Sequence, residues 1–534
     1  MNFRKSSRPV VMGRAGIVAT GHHLASLAGV KALQEGGNAV DAVLAAALMM
    51  AVVKPDASGP GGDLFALVSF SKNSGRIEAL NASGPAPGKA TIDFFREKRL
   101  SRIPLEGPLS IAVPGAVDGW LELHGRYGTF ELSRLARDAI QCAREGFPLY
   151  PSLAERIAEI APGCRDVERA FRAPLGELKP GRAVTQPGLA DTLEQISQKG
   201  RAGFYEGKIA ESFCRYIQKS GGVLELKDLE KTNAEWMDPL KSTYRNYTVY
   251  EQPPVSQGFM VLEMLNILEE YRLNDEKRDL AEVIHLMVEA KKLAFEDRIQ
   301  YLEDPRFGDP KMALVISKEH ARARRRLISE VPRSGAGVAQ PGGSDTTYLC
   351  AIDGEGNAVS LIQSIFAAFG SRVVDAETGV VMNNRLCGFG LKPGRANALM
   401  PGKRPAHTLN SYMVSSEGKL AVIGGSPGAD DQPQTNLQIL YNLLDLGMDP
   451  QSAIEFPRWS HQPGTPPRAE GPEELKMEEG FPAPVIEALR ARGHNVSVVD
   501  RWSFGSAKVI VRDADTGAWM AGADPRREAY AIGW

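Results

Sequence analysis

The 534-residue chain carries 63 Lys and Arg against 65 Asp and Glu, a formal net charge of −2. Without a basic excess there is no field to draw phosphates, which excludes nucleic acid as an expected partner. Apolar residues at 43% and charged residues at 24% fit a soluble globular protein, long enough for a large core or several units.

Met1 to Val11 holds Arg4, Lys5 and Arg8 with no apolar run behind them, so no secretory signal is expected. Leu24 to Glu35 has helical periodicity and stops at Gly36-Gly37, a helix C-terminal signal. Asn38 can cap a second helix, Ala39 to about Val53, apolar nearly all round and therefore buried. Its uncharged part, Ala42 to Val53, is too short to cross a membrane, and no stretch of about 18 apolar residues occurs. The loop Ser58 to Gly62 leads into a strand, Leu64 to Phe70. No Gly-Lys-Ser/Thr follows its glycines, so the loop is a turn beside a site or a plain tight connection, not a phosphate cradle.

Residues 116–330 are mostly helical in pattern, with Ala281 to Tyr301 a long example. The basic run Arg322 to Arg326 reads as a solvated helix face. Gly335 to Ser344 is Gly-, Pro- and Ser-rich and reads as a loop. Two alternating runs follow, Thr346 to Asp353 and Asn357 to Phe366, joined through Gly354-Glu355-Gly356 as a hairpin. Further strands fall near Leu420 to Gly424 and Ser506 to Val511. Mixed strands and helices without an internal repeat point to layered α and β structure. Cys142, Cys164, Cys214, Cys350 and Cys387 are odd in number and form no C-x-x-C. They read as buried thiols of a reduced, cytoplasmic protein.

Zinc chemistry finds no support, because the eight histidines form no H-E-x-x-H. Asp513 to Gly517 hints at a calcium loop but lacks the closing Glu, so it reads as a hairpin turn. Gly424-Gly425-Ser426-Pro427-Gly428 matches G-x-S-x-G. There the residue after the serine must give its N–H to an oxyanion, and Pro427 has none. Thr346 is the other nucleophile candidate. A Thr hydroxyl needs a base beside it, and its own α-amine serves once the chain is cut before it. The loop-to-strand junction Ser344-Asp345-Thr346-Thr347 suits such a cut, although Thr begins many strands.

The chain resembles the γ-glutamyltransferase family over nearly its whole length. Gly36-Gly-Asn-Ala-Val-Asp-Ala-Val43 running on to Ser58-Gly-Pro-Gly-Gly62 looks like the family's opening signature. Val113-Pro-Gly-Ala116 with Tyr127-Gly128 also fits. Thr346-Thr347-Tyr348, then Asp353 and Gly356-Asn357-Ala358-Val359, look like the start of its small subunit. Lys403-Arg404-Pro405, Gly425-Ser426-Pro427-Gly428 and Ala523-Asp524-Pro525-Arg526 complete the series in order. The resemblance implies an α+β N-terminal-nucleophile (Ntn) hydrolase fold, a four-layer αββα sandwich. It implies a precursor that cuts itself at Asp345–Thr346 into a large subunit, 1–345, and a small one, 346–534, together one domain. No cofactor or metal is implied. The partners are a small-molecule amide substrate and the two subunits, with room for a dimer of heterodimers. By analogy Thr346 attacks an amide carbonyl to form an acyl-enzyme. The second hydroxyl falls at Ser364, and the oxyanion donors at the N–H groups of Gly428 and Ala429.

The family's handles on a glutamyl head group are missing. Ser83 stands at the place of an arginine, while Phe366, Arg385 and Gly388 stand for Asn, Gln and Asp. His407-Thr408 replaces a serine pair. A cation at Arg385 should repel an ammonium and favour a carboxylate. Arg385, His407-Thr408-Leu409 and Gln432-Pro433-Gln434 resemble a divergent branch that includes oxamate amidohydrolase and cephalosporin-acylase-like proteins. The expected function is hydrolysis of a small carboxylate-bearing amide, with Arg385, His407, Thr408, Phe366 and Ser83 around the substrate. The alternatives are a true γ-glutamyltransferase or glutathione hydrolase, and a catalytically silent relative that acts as a binding protein.

Overall fold

The computed structural model describes residues 6–73, 75–275, 278–333, 346–462 and 473–534. Fourteen strands build its centre. In chain order they are β1 (Val11–Gly13), β2 (Gly16–Thr20), β3 (Asp63–Ser69), β4 (Ile77–Ala82), β5 (Glu235–Met237), β6 (Leu240–Tyr244) and β7 (Tyr247–Glu251). After the loop come β8 (Thr347–Asp353), β9 (Ala358–Ser364), β10 (Ser411–Ser416), β11 (Lys419–Gly425), β12 (Lys508–Arg512), β13 (Trp519–Ala523) and β14 (Tyr530–Gly533). One seven-stranded sheet runs β1-β13-β12-β11-β10-β7-β6, the other β14-β2-β8-β9-β3-β4-β5.

Side-chain alternation along these strands makes the layers. In β8, Tyr348, Cys350 and Ile352 pack against Met413, Ile423 and Ile510 of the facing sheet. Leu349 and Ala351 point the other way, with Val359 and Leu361, into a core shared with α1 (His23–Gln34) and α2 (Ala39–Val53). On the far side Val414, Val422 and Val511 meet α3 (Phe259–Leu268), α4 (Leu280–Tyr301) and α5 (Gln432–Leu444). Both faces of each sheet are therefore covered, the αββα sandwich of an Ntn hydrolase.

α2 is buried along its whole length, as its composition predicts. The Asn38 side chain accepts from the N–H groups of Val40 and Asp41, and Asp41 accepts from the Asn38 N–H at 2.9 Å. The hairpin around Gly354 to Gly356 forms as expected, with Thr347 opposite Gln363 and Ile352 opposite Ala358. Asp513 closes a hairpin turn, accepting the Thr516 N–H at 2.8 Å.

Residues 116–330 are mostly helical as expected, and they also contain β5, which ends one sheet, and β6 and β7, whose Tyr, Thr and Val residues complete the other. Two expectations need correction. The basic run is only partly solvated, since Arg324 pairs with Asp297 and Glu296, and Arg325 with Glu270. Cys142 is half-buried, while the other four free thiols are buried. The predicted loop Gly335 to Ser344, and Asp345 with it, lies outside the described residues. Among the described residues no helix is long and apolar enough to cross a membrane.

Candidate active site

Thr346 stands immediately before β8, next to the strand that pairs with β9. Ser364 ends β9, opposite Asp63 at the start of β3. Adjacent strands thus bring the two hydroxyls together: Thr346 Oγ1 lies 3.0 Å from Ser364 Oγ. Both are buried. Ser364 Oγ also accepts the Phe366 N–H at 2.8 Å, which fixes its rotamer. Phe366 itself has φ 84°, a left-handed backbone that a bulky residue adopts only under constraint.

The loop after β11 brings Gly428 to the wall of a cavity of about 60 Å³ that Thr346 also lines. Gly428 (φ 139°) and Ala429 (φ 48°) both lie at positive φ. Neither backbone N–H has an acceptor among the described residues. Two unspent donors beside a hydroxyl pair can stabilise an oxyanion. The Gln257 side chain holds this loop by donating to the carbonyls of Thr408 and Ala429. Ser426 is no rival nucleophile, because its buried hydroxyl donates to the Pro427 carbonyl at 2.9 Å.

The residues expected around the substrate divide. Phe366, Thr408 and Gly388 line a second, larger cavity of about 470 Å³. Arg385 lies behind that wall, 1% exposed. Its Nη1 donates to Thr408 Oγ1 at 3.1 Å, its guanidinium stacks 4.1 Å from the Phe366 ring centre, and its Nε is 3.4 Å from Asp63 Oδ2. Arg385, expected to grip a substrate carboxylate, is instead seen in a buried ion pair with Asp63. His407 Nε2 donates to the same Asp63 oxygen at 3.1 Å, and its Nδ1 accepts the Leu409 N–H. Burial, then the nearby Arg385 charge, lowers the His407 pKa to about 4, so the imidazole is neutral at pH 7. The Ser83 hydroxyl donates to Asn81 Oδ1 at 2.7 Å. Neither His407 nor Ser83 lines either cavity.

Sequence reasoning passed over Asp63. It accepts from the Gly84 N–H and His407 and forms an ion pair with Arg385, and so ties β3 to three separate segments. A carboxylate at the mouth of an apolar strand, directly after Gly61-Gly62, was the available signal. Lys508 was also passed over, although a lysine opening an apolar strand is unusual enough to notice.

The profile of the gamma-glutamyltranspeptidase family matches residues 25–534. The chain belongs to that family. It is 37% identical to the glutathione hydrolase-like YwrD proenzyme of Bacillus subtilis, over 98% of this chain and 99% of that one. It is 34% identical to the oxamate amidohydrolase proenzyme of Klebsiella pneumoniae, over 97% and 98%. Among solved structures, cephalosporin acylase from Bacillus halodurans superposes with a TM-score of 0.91 at 35% identity, covering 99% of this chain and 98% of that one. The chain is thus an enzyme, an Ntn amidohydrolase, and the divergent branch suspected from Arg385 and His407-Thr408 is among its relatives.

Proposed function

We propose that this chain is a precursor that cuts itself before Thr346, and that the freed Thr346 hydrolyses an amide whose acyl part carries a carboxylate. The single observation carrying the reading is the 3.0 Å pair of Thr346 Oγ1 and Ser364 Oγ, next to two unspent N–H groups. The Thr346 oxygen attacks the amide carbonyl while its α-amine takes the hydroxyl proton. Negative charge collects on the carbonyl oxygen, facing the N–H groups of Gly428 and Ala429. The C–N bond then breaks, and the amine leaves with the proton. Water attacks the resulting ester, releasing the acid and restoring Thr346. Ser364 fixes the nucleophile throughout.

Division into 1–345 and 346–534 would leave the sandwich intact. The strand that follows Thr346 pairs with β2, and β9 pairs with β3, so small-subunit strands sit between large-subunit ones. In the proposed substrate site Phe366 and Thr408 form the wall and Arg385 positions both from behind. Oxamate hydrolysis by a relative 34% identical over nearly the full length supports a carboxylate-bearing substrate. Glutathione hydrolysis is disfavoured, because Ser83, Phe366 and Gly388 offer no ion pair to an amino-acid head group.

The test is a gel, N-terminal sequencing and an amide panel. Active enzyme should show two fragments, the smaller beginning Thr-Thr-Tyr, and Thr346→Ala should stay one inactive chain. Oxamate-type amides should be turned over far better than glutathione. An active enzyme left intact at this bond refutes the proposed nucleophile.

A further inference from the structure

The 60 Å³ cavity beside Thr346 is basic. Lys54, Lys508 and Arg527 all reach its wall. Lys508 opens β12, between Gly425 of β11 and Ala523 of β13, and is 1% exposed. Its Nζ donates to the Ser506 carbonyl at 2.7 Å and lies 3.3 Å from Ser506 Oγ. No carboxylate pairs with it among the described residues.

A second polar group faces the same space. Thr347 Oγ1 has no hydrogen-bond partner among the described residues, and Thr347 is 2% exposed. Gly21 closes the cavity opposite. A methyl built on Gly21 would lie 2.9 Å from Thr347 Oγ1 and 3.7 Å from Lys508 Nζ. The same methyl would lie 3.1 Å from Met50 Cε, so the absence of a side chain at Gly21 keeps open a narrow recess bounded by the Thr347 hydroxyl, the Lys508 amine and the Met50 thioether end.

The neighbouring charges do not fill that need. Asp56 and Glu528 face Lys54, at 3.4 and 4.0 Å. Asp524 is taken by Arg458 at 2.7 Å and Arg526 at 3.2 Å. Cys350 stays a thiol, its pKa pushed up to about 12 by burial. Arg527 sits exposed at the rim. A buried ammonium without a counter-ion is costly, and a small anion in the recess would remove that cost.

We infer that this recess is the carboxylate subsite of the proposed hydrolase, with Lys508 as counter-ion and the Thr347 hydroxyl as second donor. This rests on Thr346 being the nucleophile. Because Thr346 and Gly428 form the same wall, the carboxylate must be joined directly to the scissile carbonyl or be one carbon away. The recess has room for a few atoms and no chain, unlike the 470 Å³ cavity on the Phe366 side. The substrate class is therefore amides of oxalic or malonic type. Burial lowers the Lys508 pKa to about 7, with Asp524 opposing and Lys54 and Arg458 adding to the fall. Anion binding should accordingly strengthen as pH falls through neutrality.

The experiment uses the self-cleaved enzyme, with oxalate as inhibitor, oxamate as one substrate and a neutral acyl anilide as the other. Lys508→Met removes the charge. Gly21→Ala keeps it and fills the recess, which makes a second test if the first variant fails to fold. Each should weaken oxalate inhibition by about tenfold or more, the loss expected for one charged hydrogen bond. Each should lower kcat/KM for oxamate at least about tenfold more than kcat/KM for the neutral anilide, the loss of one charged hydrogen bond. Oxalate inhibition unchanged in a variant that still cleaves itself overturns the subsite. Equal loss on both substrates also overturns it, because it marks a general disturbance of Thr346. Absence of wild-type cleavage before Thr346 is a separate result: it refutes the nucleophile, and the subsite with it.

Discussion

Asp63 shows how much one residue organises here. It is fully buried and its carboxylate takes a backbone N–H, an imidazole and a guanidinium. Removing Arg385 leaves that charge under-compensated, which typically costs about 3–5 kcal/mol. Arg385→Ala should therefore lower the unfolding midpoint as well as turnover. Arg385→Lys keeps a charge but cannot reproduce a guanidinium that bonds Thr408 while stacked on Phe366, so it should recover stability better than turnover. A variant with wild-type melting and wild-type kcat/KM would show that Arg385 positions nothing. Ser364→Ala deletes the hydroxyl beside Thr346 and strands the Phe366 N–H, so kcat should fall by about tenfold to a hundredfold, the effect of one to two lost hydrogen bonds. Unchanged kcat in cleaved Ser364→Ala enzyme would remove Ser364 from the site. At this scale the sequence was partly legible. Thr346, Ser364 and Gly428 could be placed through ordered motifs. Arg385 could be named, but not its partner, because Asp63 is 322 positions away and no local pattern links the two.

Elements were legible where their own composition decided them. α2 is apolar on every face and capped by Asn38, and needs no tertiary information to be placed. β6 and β7 were not legible, because polar residues such as the exposed Lys241 and Thr243 and the half-buried Ser242 give them no clean apolar period. They exist because β10 offers an open edge, with Tyr412 opposite Glu251 and Val414 opposite Val249. The same pairing logic governs the cut chain. With β8 held between β2 and β9, and β9 held by β3, separating the fragments breaks ladders on both sides. The two fragments should therefore co-elute on size exclusion and part only in denaturant. Separation under native conditions would contradict this register.

Across the whole molecule, burial holds four histidines neutral. Desolvation leads in each case, taking His22, His461 and His494 to about 3 and His407 to about 4, from an ordinary 6.5. They are spread through the fold: His22 caps α1, His407 faces Asp63, and His461 and His494 both meet α4, at Lys291 and His285. An unfolded chain takes up these protons first as pH falls below 6.5, so the folded state loses stability throughout that window. A tenfold loss of proton affinity on folding corresponds to about 1.4 kcal/mol, so four such groups together matter against a typical marginal stability. Glu251 and Glu263 act in the opposite sense. Burial raises both well above 4.5, so they hold protons in the fold and offset the histidines while pH exceeds 4.5. Below 4.5 the unfolded chain protonates these carboxyls as well, and the offset stops growing. Asp524 then adds to the loss, since Arg458 and Arg526 outweigh burial and keep its pKa low. The unfolding midpoint should decline gently from about pH 6.5 to about pH 4.5 and steeply below that. His407→Gln keeps a neutral donor towards Asp63 and removes one titrating group, so it should flatten the decline between about pH 6.5 and about pH 4. A midpoint that holds level down to about pH 3.5, or a His407→Gln profile as steep as wild type, would mean that these imidazoles are not the groups that fail in acid.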